Sequence, residues 1–116
     1  AGGGGGASEV GETSPNTTRG GAGGDGENNV MGMNDADSDT FLTALSVGHD
    51  ASDNLRYFSG GGSGTDYPSP TYQTASKGGG GSNSVGIANT GGGGSGKQGA
   101  VGFAGGSGIV LIRYAL

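Results

Sequence analysis

The 116-residue chain contains no cysteine and no tryptophan. Without cysteine it has neither disulfides nor thiolate metal sites, a usage compatible with an extracellular setting. Lys and Arg number 5 against 10 Asp and Glu, a formal net charge of −5. There is thus no basic patch for a nucleic-acid-binding reading. No run of about 18 apolar residues is present, so no stretch reads as a membrane span. No signal peptide is visible. The first residue is Ala1, not methionine, as expected of a processed product or an excised fragment. Proline occurs only 3 times, and Leu, Ile, Val and Phe together number 17. That is below the roughly one-fifth of ordinary globular domains.

Glycine is what the chain has in quantity, with 32 residues. By composition alone the default is a disordered linker. Ordering a residue costs about 1–2 kcal/mol of backbone entropy, and glycine loses the most. The 23 large apolar residues (Val, Ile, Leu, Met, Phe, Tyr) would struggle to offset that as a conventional core. An ordered chain of this kind must rest on backbone hydrogen bonds.

The glycine pattern favours order. "GGGGGASEVG" (2–11), "GGGGSNSVG" (78–86) and "GGGGSGKQGAVG" (91–102) are related runs. Val10 and Val85 stand four residues after the last glycine of their runs, and Val101 stands seven after its own. The three-residue difference is one turn of a polyproline-II-type helix, so the valine keeps its face. From Gly93 the period is explicit: Gly93, Gly96, Gly99, Gly102, Gly105 and Gly108. Glycine at every third place leaves one bare edge that another backbone can approach. Such helices make no internal hydrogen bonds and need neighbours for their N–H and C=O groups. The expected fold is irregular and glycine-rich: a bundle or sandwich of polyglycine-II helices, a few short β-strands including the C-terminal one, and little or no α-helix. Flexible linkers are the competing reading.

The expected organisation is a single glycine-rich domain over 1–116. Its scaffold covers about 2–26, 60–64 and 78–108, with inserts at about 27–59 and 65–77. In the first insert, "DTFLTALSV" puts Phe41, Thr43, Leu45 and Val47 on one strand face, with a short helix capped by Asp39 as close competitor. "LRYF" reads as a strand. "DYPSPTY" reads as a turn or surface loop, since Pro68 and Pro70 restrict the residues before them. The closing "IVLIRY", within a strand expected at 109–114, reads as buried. On the bare-edge argument, valine at Gly99 or Gly102 should damage folding far more than changes at Lys97 or Gln98.

Several chemical motifs fail on inspection. "GGGGSGKQ" (91–98) lacks the Ser or Thr that a phosphate-binding loop needs after its lysine, where Gln98 stands, so Lys97 reads as an exposed cation on a glycine helix. "DADSDT" (35–40) alternates acids but has Thr40 and Ser46 where an EF-hand needs Gly and Glu, leaving a solvated acidic loop or a looser cation site. His49, the only histidine, lies near Asp50 and Asp53 without a nucleophile elbow and reads as an exposed loop residue. No enzyme, catalytic residue, cofactor or metal site is expected. Asn16 opens an "NTT" glycosylation sequon. Tyr57, Phe58, Tyr67 and Tyr72 fall in or beside the inserts; they either cap the bundle ends or form a recognition surface.

The ending "GGSGIVLIRY" (105–114), preceded by "ANTGGGGSG" (88–96), resembles the C-terminal end of glycine-rich domains in bacteriophage tail fibres and related virion adhesins. "GGGGGASEVG" and "RGGAGGDG" (19–26) share the style, and the resemblance spans most of the chain outside about 27–59. It implies a sandwich of polyglycine-II helices whose loops meet the bacterial receptor at the fibre tip. It also implies location in the virion tail fibre and a role in viral attachment to the host cell. The implied partners are a bacterial cell-surface glycan or outer-membrane protein and other virion subunits, with Tyr67, Tyr72, Tyr57 and Phe58 as receptor-binding candidates. No nucleic acid and no membrane insertion are expected. Insert 27–59 is long for a tip loop, so a packing or attachment element is its alternative role. The competing function is a structural subunit of an extracellular filament or virion decoration, in which the chain would form a homo-oligomer.

Overall fold

The computed structural model describes residues 1–15, 19–32, 35–53, 55–65, 73–99 and 101–116. Most of the described backbone is neither helix nor strand. It is nevertheless tied together by backbone hydrogen bonds, and these recur every third residue.

The 58–65 segment lies at the centre. The N–H groups of Phe58, Gly61 and Gly64 donate to the carbonyls of Glu27, Gly24 and Gly21 at 2.9, 2.9 and 2.8 Å. Those of Gly60 and Ser63 donate to Gly78 and Gly81 at 2.9 and 3.0 Å. The carbonyls of Gly60 and Ser63 accept from Gly93 and Gly96, and those of Ser59 and Gly62 accept from Ala7 and Gly4. Thr65 O continues the last series, accepting from Ala1 N at 3.0 Å. Segments 1–7, 19–27, 77–82 and 90–96 therefore surround 58–65, each touching it on its own three-residue beat. A β-ladder would return to one partner every two residues.

Sequence dictates this through the missing side chains. In "GGAGGDG" (20–26), Gly20, Gly23 and Gly26 face 58–65, where a Cβ would stand 2.4, 1.9 and 1.9 Å from the backbone oxygens of Gly64, Gly61 and Phe58. Gly21 and Gly24 face 9–12, where a Cβ would stand 2.0 and 2.1 Å from the oxygens of Glu12 and Glu9. Real Cβ contacts do not go below 3.0 Å. Only Ala22 and Asp25, three apart, carry side chains in this stretch, on the one edge left over. The buried polar side chains are short hydroxyls that fill gaps between backbones. Ser76 Oγ donates to Gly61 O at 2.6 Å, and Thr90 Oγ1 donates to Ile87 O at 2.6 Å while accepting from Gly92 N at 3.0 Å.

The Gly93–Gly108 beat has a different role from the one expected. Gly108 and Gly99 would meet nothing within 4 Å, and Gly102 and Gly105 would meet a first atom only at 3.3 Å. These four are exposed. Gly99 needs glycine for its φ of +63°, a turn requirement, and at Gly102 a Cβ would first meet Ser95 O, at a tight 3.3 Å. The sterically essential glycines lie off this beat, at positions such as Gly94 and Gly106.

The first insert holds the only regular elements among the described residues. Helix α1 covers Asp35–Ala44, β1 His49–Asp50 and β2 Arg56–Tyr57. The strand expected at 41–47 is thus corrected to a helix, which starts four residues before Asp39. An acidic opening turn suits the positive end of the helix dipole, and Leu42 points inward while Phe41 and Leu45 stay open. Ser46 and Gly48, at φ of 54° and 76°, turn the chain after the helix. Strands β1 and β2 pair antiparallel, His49 opposite Tyr57 and Asp50 opposite Arg56. The expected "LRYF" strand is therefore present at Arg56–Tyr57, and an isolated bridge joins Phe58 to Glu27. Leu42, Val47 and Phe58 are the buried apolar side chains, with Leu111 packed against them.

The C-terminal strand is absent. Residues 109–116 are not a strand, and Val110, Ile112, Tyr114 and Leu116 are exposed. Beyond Ser107 the chain leaves the glycine bundle and runs beside the insert without pairing with its strands. It is anchored by Leu111 and by Arg113 Nη1, which donates to the carbonyls of Met31 and Gly32 at 3.1 Å each. Burial worth about 1.5–3 kcal/mol per large aliphatic side chain is realised mainly at Leu111. Deleting 109–116 should therefore lower the melting temperature but leave a folded protein; a random-coil circular dichroism spectrum would contradict this arrangement.

Candidate functional site

The hydrogen-bond register gives the scaffold two ends. Near Phe58 lie Ala7, Glu27, Lys77 and Thr90; near Thr65 lie Ala1, Gly21, Gly81 and Gly96. The first insert leaves and rejoins at the Phe58 end through the Glu27–Phe58 bridge. The second insert leaves at Thr65, on the opposite end. Gln73 also lies there, its carbonyl accepting from Ser82 Oγ. Lys77, the last residue of the second insert, lies instead at the Phe58 end, beside the first insert. Tyr67 and Tyr72 lie outside the described residues, as does Asn16.

At the Phe58 end the side chains are committed to internal contacts. Phe58 is buried in the apolar cluster, so it is a core residue and not part of a receptor surface. Tyr57 is half-buried, and its hydroxyl donates to Asp53 Oδ2 at 2.9 Å. Lys77 Nζ also donates to Asp53 Oδ2, at 2.8 Å, and sits 4.9 Å from the Tyr57 ring centre. The Lys77 hydrogen bond, helped by Tyr57 and the Leu55 amide, holds the Asp53 carboxyl below its ordinary 3.8. Its hydrogen bond to Asp53 holds Lys77 above its ordinary 10.5. Burial, then the bond to Asp53, raises the Tyr57 phenol. This triad ties the insert to the scaffold, because Lys77 N also donates to Asp25 Oδ1 at 2.9 Å and Lys77 O accepts from Gly26 N at 2.8 Å. His49 is half-buried in β1, not in an exposed loop.

The signs of these shifts set a pH window. A lowered carboxyl stabilises above its unfolded pKa and loses that contribution as pH falls through the folded value. A raised lysine or phenol stabilises below its unfolded pKa and loses that as pH rises through the folded value. An Asp53→Asn variant should thus melt slightly below wild type at neutral pH, with the gap closing as pH falls through the lowered folded value of Asp53. An equal gap at all pH values would show that Asp53 acts only through its shape.

Among the described residues, Arg19, Gln73, Ser82 and Lys97 lie at the Thr65 end, each within a few residues of the bonds that 63–65 makes to its neighbours. Arg19 Nη2 meets Glu12 Oε1 at 2.8 Å, and Ser14 Oγ donates to Arg19 O at 2.8 Å. The Ala22 amide is the main cause of the lowered Glu12 carboxyl, with Arg19 adding to it. Lys97 is exposed, its Nζ 5.3 Å from the Phe103 ring centre, and Val101 is 91% exposed. The Lys97 and Phe103 side chains meet beyond the turn at Gln98 and Gly99. This end can offer a cation on an aromatic face, an arginine, a bare valine and hydroxyls, which is contact chemistry. Among the described residues no group of three or more His, Cys, Asp or Glu could hold a metal ion, and no helix is long and apolar enough to cross a membrane.

Comparison with protein-family models, with curated proteins and with solved structures gives no match to this chain.

Proposed function

We propose that the chain is a non-enzymatic host-recognition domain of a bacteriophage tail fibre, with the glycine segments as a rigid scaffold and the Thr65-end loops as its receptor surface. The carrying observation is that Arg19, Gln73, Ser82 and Lys97, from four stretches of the chain, lie at one end of a hydrogen-bonded scaffold. Loops held by a rigid frame lose less entropy on binding. In this reading the segments are polyglycine-II helices, supported by the three-residue hydrogen-bond beat and by the two bare edges of 20–26. Backbone couplings and chemical shifts in solution should then report φ near −75° and ψ near +145°, or the mirror values open to glycine.

The first insert, with its own apolar cluster, serves as the attachment element in this reading, and the target is a glycan or outer-membrane protein of a bacterium. Tyr67 and Tyr72 would join Lys97 and Phe103 as contact residues, while Tyr57 serves the insert. A structural subunit of a filament or virion decoration is the second reading, favoured by the exposed row of Val110, Ile112, Tyr114 and Leu116. Adsorption of the labelled protein to a panel of bacterial strains tests the proposal. Tyr67→Ala with Tyr72→Ala, and separately Lys97→Glu, should reduce adsorption to a bound strain at unchanged melting temperature, whereas Phe41→Ser should not. Normal adsorption by both Thr65-end variants would overturn it.

A further inference from the structure

Between the 1–7 and 90–96 segments runs an open groove of about 610 Å³, floored by 59–64 and lined by no charged side chain. Its floor contains a buried backbone group without a partner: the N–H of Gly62 meets no acceptor among the described residues, although Gly62 is buried. The walls repeat this. The N–H groups of Gly2 and Gly5 on one side, three residues apart, and of Gly94 on the other have no acceptor among the described residues. The N–H groups of Gly20, Gly23, Gly78, Gly79 and Gly80 share this lack but do not line the groove. Buried N–H groups left unpaired are rare in folded chains.

The glycines of this wall pose a second problem. Gly3 and Gly6 are sterically required, since a Cβ there would stand 1.9 and 2.1 Å from the oxygens of Ala22 and Asp25. Gly2, Gly4 and Gly5 are not: a Cβ would find its first neighbour at 3.4, 3.6 and 4.0 Å, and none has a positive φ. Glycine at such positions costs stability relative to alanine, and nothing inside the chain accounts for it. At Gly4 and Gly93 on the opposing walls, a Cβ would point at the same atom, Gly62 N, from 3.6 and 3.0 Å. Both walls are bare over the same unpaired group.

We infer that this groove is the docking site for the 2–6 glycine run of a second copy of the chain. Such a run has no side chain to exclude it, and it offers carbonyls on the beat of the unpaired N–H groups. It also forms the rim of its own groove. A two-fold axis beside it therefore places each run in the other's groove, and the contact closes as a symmetric dimer, the commonest homo-oligomer. The occupied site would complete the ring of extended segments around 58–65.

The test is the oligomeric state of the whole 116-residue protein by sedimentation equilibrium. Wild type should form a dimer and nothing larger. Gly4→Val and Gly5→Val, whose Cβ positions are open in the single chain, should weaken dimerisation at least tenfold with unchanged circular dichroism. Gly108→Val, equally open on a face away from the groove, should leave the dimer intact. The absence of other cysteines allows a check independent of valine's effect on folding: oxidised Gly5→Cys should give a disulfide-linked dimer, and Val85→Cys should not. A wild type that stays monomeric at millimolar concentration overturns the inference. Open-ended oligomers, or a Gly5→Val protein that pairs like wild type, overturn it as well.

Discussion

A Gly23→Val protein is expected to be unfolded at room temperature. A Cβ at position 23 would lie 1.9 Å from Gly61 O and 2.5 Å from Gly61 C, and both atoms belong to the central segment. No flexible side chain can give way. The two segments would have to part by more than an ångström, which breaks the bonds of Gly61 N to Gly24 O and of Gly64 N to Gly21 O together. Substitutions that cost more than about 4–5 kcal/mol are exceptional, and the total stability of a domain is about 5–15 kcal/mol. Here the loss should reach that exceptional range. Gly108→Val is the matched control, because its Cβ meets nothing within 4 Å. Thermal melts of the two proteins should differ by the whole transition. If both melt alike, close backbone approach does not hold the scaffold together.

Phe58→Ala should cost about 3–5 kcal/mol, the range for emptying a buried aromatic site. The residue belongs to both halves of the molecule. Its backbone donates to Glu27 O and accepts from Glu27 N, both at 2.9 Å, within the glycine bundle. Its ring packs with Leu42 and Val47 in the insert and is 6% exposed. Alanine keeps the backbone bonds and removes the ring. Hydrogen exchange should therefore show lost protection around α1 and the β1–β2 pair, with amides at 60–64 still protected. Uniform loss across the chain would mean that scaffold and insert unfold as one unit. No loss anywhere would mean that Leu42, Val47 and Leu111 suffice as a core.

The outline of the scaffold was legible in the sequence, because glycine spacing and hydrogen-bond spacing follow from the same three-residue geometry. In "GGAGGDG" the two bare edges can be read from the letters alone. The inserts could also be bounded, since they are where glycine thins out. Other features were decided only by tertiary structure. Glycine marks where a backbone can approach, not whether one does, so the Gly99–Gly108 beat looked like an inner edge and is an outer one. "DTFLTALSV" satisfies both a two-residue and a helical period, and the position of Phe58 and Leu111 chose the helix by giving Leu42 a place to be buried. "IVLIRY" has strand composition, yet a strand needs a partner edge, and this run pairs with none. The placing of the first insert at the Phe58 end depends on the direction in which each segment runs past 58–65. Every segment has the same bare backbone whichever way it points, so the letters carry no sign of direction; it is set by which carbonyl each N–H finally meets.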